Sequence, residues 1–396
     1  MRILSLSTVF PNPSEPGLGI FVKRRLQAMA KGADIHVIAP IALCDYDNPR
    51  RRLIGFRTVP FRRTDGLLEV FHPVWVYLPG NRFTNGILLG VQLVCLLRRL
   101  RREFPFEWID AHFAHPDGVA AAVLTWFFHC PFSITMRGNE VINARYRLRR
   151  TLMSWALRKA NLVFALSDDL AQLARDLGVH PQVIRRVRNG VDPNLYAANS
   201  ARPRGPRKAA IIVSIGRLVE GKGHQHTINA VASLRTRGID VDLRIVGEEG
   251  RGPGGCAAKL RSLVEQLSLG EHVQFLGWRP PAEVAAEMAG ADVVCHASAR
   301  EGWPNIIQEA LACGTPVVAT DVGSTREMIP DARYGLLVPP GAPDALERAL
   351  ELSLRRQWDH NVIACWGRLW TWDTVARGVI VELETVAGRS YADASR

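Results

Sequence analysis

The chain has 396 residues, of which 47% are apolar and 22% charged, with a net charge of +12. That length is more than one ordinary core fills, so two domains are expected, and the composition excludes a disordered or fibrous chain. Seven cysteines, at 44, 95, 130, 256, 295, 313 and 365, form no Cys-x-x-Cys pair, a usage that fits a reducing, cytoplasmic compartment better than a disulfide framework.

The opening MRILSLSTVF is stopped by Pro11, so it reads as a buried first strand over 3–8 rather than a secretory segment. A helix over 20–30 and a strand over 35–39 follow. The longest apolar stretches, 87–97 and 119–128, fall short of the ~20 residues a bilayer span requires, so no crossing is expected. The first runs into Arg98-Arg-Leu-Arg-Arg102, and residues 146–159 carry a second basic group with Leu and Trp between. Either group fits peripheral contact with an anionic membrane, and the first equally fits a packed helix with a charged end. Further strands are expected over 108–112, 132–135 and 162–166. The segment 198–207 (AANSARPRGP) has no apolar period and is the best linker.

The second half alternates more cleanly. Strands are expected over 209–215, 241–246, 273–276, 292–295 and 316–319. Helices are expected over 224–237, 257–269 (stopped by Gly270), 281–289 and 305–313. Strand runs without period-two alternation are buried on both faces, as in a parallel sheet covered by helices. The predicted domains are therefore 1–197, a linker over 198–208, and 209–370, with a last helix in 371–396 returning to the first domain. Two α/β domains about a hinge predict a cleft at the carboxyl ends of their strands, where such sheets bind ligands.

Charge divides the two halves. Residues 1–195 hold 27 Lys and Arg against 15 Asp and Glu, whereas residues 196–396 hold 23 of each. The first half therefore faces something acidic, or carries a solubilising surface. Nucleic acid is disfavoured as the partner because the basic residues lack interleaved aromatics.

The densest chemistry is Glu301-Gly-Trp-Pro-Asn-Ile-Ile-Gln-Glu309, followed by Ala-Leu-Ala-Cys-Gly314. Pro304 in the first turn and Gly314 past the last mark the two ends of a helix. Free N–H groups at its start suit a diphosphate. Glu309, one turn after Asn305, points the same way and can accept both hydrogen bonds of a vicinal diol such as ribose. Glu301, in the loop before, can do the same for a sugar ring.

This element resembles the E-x7-E signature of the GT-B-fold retaining glycosyltransferases of family 4. Other stretches extend the resemblance over nearly the whole chain: Ser214-Ile-Gly-Arg217-Leu-Val-Glu-Gly-Lys222-Gly, Ile245-Val-Gly-Glu-Glu-Gly250, Val273-Gln-Phe-Leu-Gly277, Asn189-Gly-Val-Asp192 and Tyr334-Gly-Leu-Leu-Val-Pro-Pro340. The N-terminal Pro-Gly-Leu-Gly-Ile-Phe-Val and Asp110-Ala-His-Phe-Ala-His-Pro-Asp-Gly118 look most like transferases of cell-surface polysaccharides, teichuronic acid among them.

The resemblance implies an α/β chain of GT-B type, with two facing Rossmann-like domains. It implies hexosyl transfer from a nucleotide-diphosphate sugar to a glycan or lipid-linked acceptor, with no metal and no other cofactor. Arg217 and Lys222 would hold the diphosphate, Glu309 the ribose and Glu301 the sugar, helped by Gly302, Trp303, Pro304 and Asn305. Gly277 would belong to the same substrate-binding set. Gly19 would let backbone approach the phosphate and sugar. His112, and less strongly His115, would touch donor sugar or acceptor, or would be packed histidines.

One departure stands out: Arg137-Gly138-Asn139-Glu140 replaces the His-Gly-Thr/Ser-Asp of many members. A guanidinium only donates, so Arg137 cannot copy a histidine. It points to a different donor or an acidic acceptor, unless it simply pairs with Glu140. Asp45-Tyr-Asp47 and Asp240-Val-Asp242 lack supporting ligands and read as structural rather than metal-binding. An NAD(P)-dependent oxidoreductase would need G-x-G-x-x-G after the first strand, where the chain has Gly17-Leu-Gly-Ile-Phe-Val. A non-catalytic nucleotide-sugar-binding subunit of the same fold is the remaining alternative, and the joint presence of Arg217, Lys222, Glu301 and Glu309 argues against it.

Overall fold

The computed structural model describes residues 1–43, 58–76, 83–197, 209–249 and 255–394. Within it the chain forms two compact units, Met1–Gly190 with Trp372–Arg396, and Val191–Thr371. The expected linker 198–208 and the Asp45-Tyr-Asp47 motif lie outside the described residues.

The N-terminal unit is built on β1 (Arg2–Leu6), β2 (Asp34–Ile38), β3 (Ile41–Ala42), β4 (Arg62–Asp65), β5 (Leu68–Phe71), β6 (Val74–Trp75), β7 (Trp108–His112), β8 (Phe132–Met136), β9 (Leu162–Ala165) and β10 (Ile184–Arg186). Its main sheet runs β10-β9-β8-β7-β1-β2-β5-β4, with β3 and β6 as a separate pair. Neighbours in the main sheet are parallel except β4 and β5. β7, β8 and β9 are buried at every position, which explains their unbroken apolar character between layers of helix. The helix Trp372–Ala394 packs on the helix Ile20–Met29, and ion pairs Lys31–Asp373 and Arg185–Glu382, both 2.7 Å, flank that packing.

The C-terminal unit holds β11 (Ala210–Ile215), β12 (Val241–Val246), β13 (Val273–Gly277), β14 (Val293–His296), β15 (Val317–Thr320) and β16 (Gly335–Val338). They form one parallel sheet in the order β13-β12-β11-β14-β15-β16. Counted within the unit this is 3-2-1-4-5-6, the doubly wound order whose strand sequence reverses between β11 and β14. Sheets of this order bind ligands beyond the carboxyl ends of the strands at that reversal. The equivalent reversal in the N-terminal unit lies between β1 and β7.

Several boundaries differ from the sequence expectation, and each has a local cause. The helix expected to run to 269 is Ala257–Gln266, because Ser268 adopts a left-handed φ of 57° and Leu269 N–H returns to the Val264 carbonyl at 2.9 Å. Leu269 is buried, so its anchoring ends the helix before Gly270 is reached. Pro304 occupies the N-cap, not the first turn, of the helix Asn305–Ala312. The strand expected over 292–295 is β14, one residue later, and this shift brings His296 to its end. Among the described residues no helix is long and apolar enough to cross a membrane.

Candidate active site

In the C-terminal unit the switch-point loops carry the E-x7-E glutamates and both cations. After β11 the chain passes Gly216 and Arg217, makes a short 3-10 turn over Glu220–Lys222, and enters the helix His224–Thr236. After β14 it reaches Glu301 and then the helix Asn305–Ala312. Ala299 N–H donates to the Gly221 carbonyl at 2.9 Å, tying the two loops together. Lys222 Nζ donates to Glu301 Oε1 at 2.6 Å, and His296 Nε2 meets the same oxygen at 2.8 Å. An ionised carboxylate only accepts, so His296 carries its hydrogen on Nε2. Burial alone would push the Glu301 carboxyl up; the hydrogen bond and charge of His296, together with Lys222, outweigh it and hold the pKa at about 2.

The loop is fixed from behind. Gly323 has a φ of 55°, and a Cβ there would lie 2.1 Å from the Glu301 carbonyl oxygen, so only glycine lets this backbone approach. Ser324 Oγ donates to the Gly302 carbonyl at 2.8 Å. Trp303 is buried and its Nε1 donates to Gln308 Oε1 at 3.3 Å, while Gln308 Nε2 donates to the Trp370 carbonyl at 3.2 Å. Trp303 thus anchors the loop rather than presenting its ring. Pro304, at the N-cap of the helix Asn305–Ala312, makes no side-chain capping bond. Glu309 is buried one turn along it from Asn305. Gly277, at the end of β13 with φ 70°, accepts from Gly247 N–H at 2.9 Å. His224, behind Lys222, meets Ser214 Oγ through Nδ1 at 2.9 Å, and burial pulls its pKa down to about 4.

The N-terminal unit places His112 and Arg137 together in a closed cluster. Asp110 Oδ1 accepts from Ser133 Oγ at 2.7 Å, and Oδ2 lies 3.4 Å from His112 Nε2 and 3.8 Å from an Arg25 nitrogen. His112 Nε2 also meets Ser5 Oγ at 3.1 Å. Because Arg137 can only donate, its 3.1 Å contact fixes His112 Nδ1 as an acceptor. A second Arg137 nitrogen donates to Asn189 Oδ1 at 3.0 Å, and the guanidinium lies 5.1 Å from the centre of the Phe21 ring. Burial first, then the charges of Arg137 and Arg25, pull the His112 pKa well below its ordinary value, so the ring is neutral.

Glu140 does not pair with the Arg137 guanidinium. Its Oε2 accepts the backbone N–H groups of Arg137 (3.1 Å) and Gly138 (2.8 Å), and its Oε1 accepts Ala114 N–H at 2.9 Å. The carboxylate therefore shapes the turn, leaving the guanidinium to Asn189 and His112. Phe113, directly after His112, holds φ 76° and ψ 143°, a conformation side-chain-bearing residues rarely adopt. Gly19, with φ 64°, is required locally because a Cβ would lie 2.1 Å from the Val9 carbonyl oxygen. His115 is buried against the Phe83 carbonyl at 3.3 Å. Asp240 and Asp242 are tied to Arg235 and, for Asp242, to His272.

Arg217 and Lys222 thus lie in the loop after β11, and Glu301, Gly302, Trp303, Pro304, Asn305 and Glu309 in the loop after β14 and the helix it enters. Gly19, His112 and Arg137 belong to the other unit. His296 and Arg25 escaped sequence reasoning. His296 lies one residue past the expected strand 292–295, and Arg25 lies within the expected helix 20–30 with nothing in its local sequence to mark it as buried.

Residues 17–195 match the family described as Glycosyltransferase Family 4, and residues 198–363 match Glycosyl transferases group 1. A Salmonella typhimurium protein named for colanic acid biosynthesis is 31% identical over 80% of this chain and 77% of its own. A Bacillus subtilis protein named for teichuronic acid biosynthesis is 28% identical over 88% of each. Among solved structures, Anabaena HepE in complex with UDP superposes with a TM-score of 0.73 at 21% identity, covering 97% of this chain and all of the other. A sucrose-phosphate synthase from Thermosynechococcus elongatus gives 0.75 at 20% identity, covering 99% of this chain.

Proposed function

The chain belongs to glycosyltransferase family 4 and has the GT-B fold, and from that premise we propose that it is a retaining, metal-independent transferase of a sugar from a nucleotide-diphosphate donor. The observation that carries the reading is the convergence of Lys222, Glu301 and the start of the helix Asn305–Ala312 at the switch point of the C-terminal sheet. Lys222 and Arg217 neutralise the leaving diphosphate, and the N–H groups at the start of the helix Asn305–Ala312 add fixed positive potential. Glu309 receives the ribose hydroxyls. Glu301, ionised at any working pH because its pKa is about 2, accepts from the hydroxyls of the sugar. HepE, of similar fold, is described bound to UDP and to UDP-glucose, which supports a donor of that class.

In the proposed reaction the bond between the anomeric carbon and the diphosphate oxygen breaks while the acceptor oxygen attacks the same face. The acceptor proton passes to the leaving phosphate oxygen, so no side-chain base is assigned. His112, neutral and bonded at both ring nitrogens, serves to hold Arg137.

The relatives named for teichuronic and colanic acid biosynthesis support a glycan or lipid-linked acceptor of surface polysaccharide assembly, acidic in character. The N-terminal unit supports peripheral contact with an anionic membrane from the cytoplasmic side. There Trp126, Phe127, Tyr146 and Leu148 are exposed beside the exposed Arg145, Arg147, Arg150, Arg158 and Lys159.

The direct test is a thermal-shift screen of UDP, GDP, ADP and their sugars against the wild type and Lys222→Ala. One nucleotide series should raise Tm in the wild type and lose most of that effect in the variant. No shift with any of them would overturn the reading. Co-sedimentation with phosphatidylglycerol but not phosphatidylcholine vesicles would test the membrane contact separately.

A further inference from the structure

Both bonds to the Glu301 side chain fall on one oxygen. Lys222 Nζ (2.6 Å) and His296 Nε2 (2.8 Å) share Oε1, and Oε2 has no hydrogen bond among the described residues. The two partners differ in freedom. The His296 side chain is 3% exposed and sits at the end of β14. The Lys222 side chain is 26% exposed, at the end of a short 3-10 turn, on a stem that can swing its ammonium. One contact is part of the scaffold and the other can leave it.

We propose that the Lys222–Glu301 ion pair is the donor-free state of an exchange. The diphosphate draws Lys222 away from Glu301, and His296, a positioning residue, keeps the released carboxylate in place for the sugar.

The proposal rests on the reading of Lys222 as a diphosphate ligand, and three observations argue for it. A diphosphate carries more charge than a carboxylate and gives an ammonium more acceptor oxygens, so it wins the lysine. A carboxylate abandoned by its only partner would recoil from the arriving phosphates. With His296 still donating to Oε1, it keeps its position and part of its charge is compensated. Glu301 is also held from its backbone side, since Gly323 packs against its carbonyl and Ser324 bonds that of Gly302, so the lysine is the part that moves.

Glu301 competes with the nucleotide for Lys222, so removing its charge tightens binding of a nucleoside diphosphate that carries no sugar. A static site, in which Glu301 only touches sugar, leaves that affinity unchanged.

Calorimetric titration of the full chain with UDP, GDP and ADP, each without sugar, tests this in wild type, Lys222→Ala, Glu301→Gln, His296→Gln and His296→Phe. Whichever diphosphate binds the wild type should bind Glu301→Gln roughly three- to tenfold tighter, the gain expected from freeing a partly exposed cation. The same variant should lose sugar transfer. His296→Gln, whose amide reaches the position of Nε2, retains a donor to Oε1 and should stay near wild type, whereas His296→Phe, which leaves Glu301 to Lys222 alone, should bind the diphosphate several-fold more weakly. Lys222→Ala should weaken it by roughly tenfold or more. Loss in Lys222→Ala together with unchanged or weaker binding in Glu301→Gln would overturn the exchange and leave the donor reading standing. Unchanged binding in Lys222→Ala, or no diphosphate bound by the wild type, would overturn the donor reading and the exchange with it.

Discussion

Both units gather charged groups where strand order reverses, yet they do so at different depths. In the N-terminal unit Arg25, Asp110 and His112 are at most 1% exposed, and their partners are one another, neighbouring hydroxyls and the buried Arg137. In the C-terminal unit the Lys222 side chain keeps a quarter of its surface open, and Glu301 about a tenth. Fully buried charges are held by neighbours that cannot be exchanged for water, so they fix geometry at the cost of desolvation. Half-open charges can trade a protein partner for a ligand. The depth of each cluster is therefore what would separate a scaffold from the proposed binding site, although each combines a cation, a carboxylate and a histidine.

That contrast can be broken most sharply at Lys222. Replacing it with Ala should lower kcat/KM for transfer by about 10²–10³-fold, the loss typical of removing one stabiliser of developing charge, with little change in Tm. A large fall in stability with activity largely intact would make the C-terminal cluster structural as well. Asp110→Ala should do the reverse. It leaves Arg25 buried beside no carboxylate, and urea unfolding should report a loss of about 3 kcal/mol, while nucleotide binding by the folded fraction stays unchanged.

A smaller effect is expected at Glu309. Glu309→Gln keeps the shape and one acceptor but loses the charge, and should raise the donor KM about tenfold with kcat less affected, as steady-state kinetics would show. A last effect comes from pH. His115 and His224 have folded pKa values of about 4, depressed chiefly by burial, against an ordinary value of 6.5. Between those limits the unfolded chain binds more protons, so stability falls as pH falls, by up to ~1.4 kcal/mol per pH unit for each histidine. Glu301, depressed from 4.5 to about 2, adds stability that is present above 4.5 and lost below it as pH falls towards 2. Denaturation midpoints at pH 7.5, 6 and 5 should decline in that order, and a flat profile would contradict the buried neutral histidines.

Much of the C-terminal unit could be read from the residues, because its strands are continuous apolar runs and its helices end at Gly238 and Gly314, each with positive φ. The E-x7-E spacing put Asn305 and Glu309 on one helix face, and the helix is found there. Tertiary placement stayed invisible. His296 differs from other histidines only in that a one-residue strand shift and a loop return aim Glu301 at it. The partner of Arg137 was misjudged in one alternative, since three residues away along the chain Glu140 turns to backbone N–H groups while the guanidinium finds Asn189, distant in sequence. The hairpin of β4 and β5 had a usable signal in Asp65-Gly66, a turn dipeptide between two extended runs. Phe113 and its unusual backbone had none.

The central claim, that the donor is bound by the C-terminal unit, is tested most directly by amide hydrogen exchange of the wild type with and without the nucleotide that raises its Tm. Protection should concentrate in residues 216–223 and 299–309, with the core of the N-terminal sheet unchanged. Protection confined to β1, β7 and the turn at Arg137, with those two loops exchanging as before, would contradict the account.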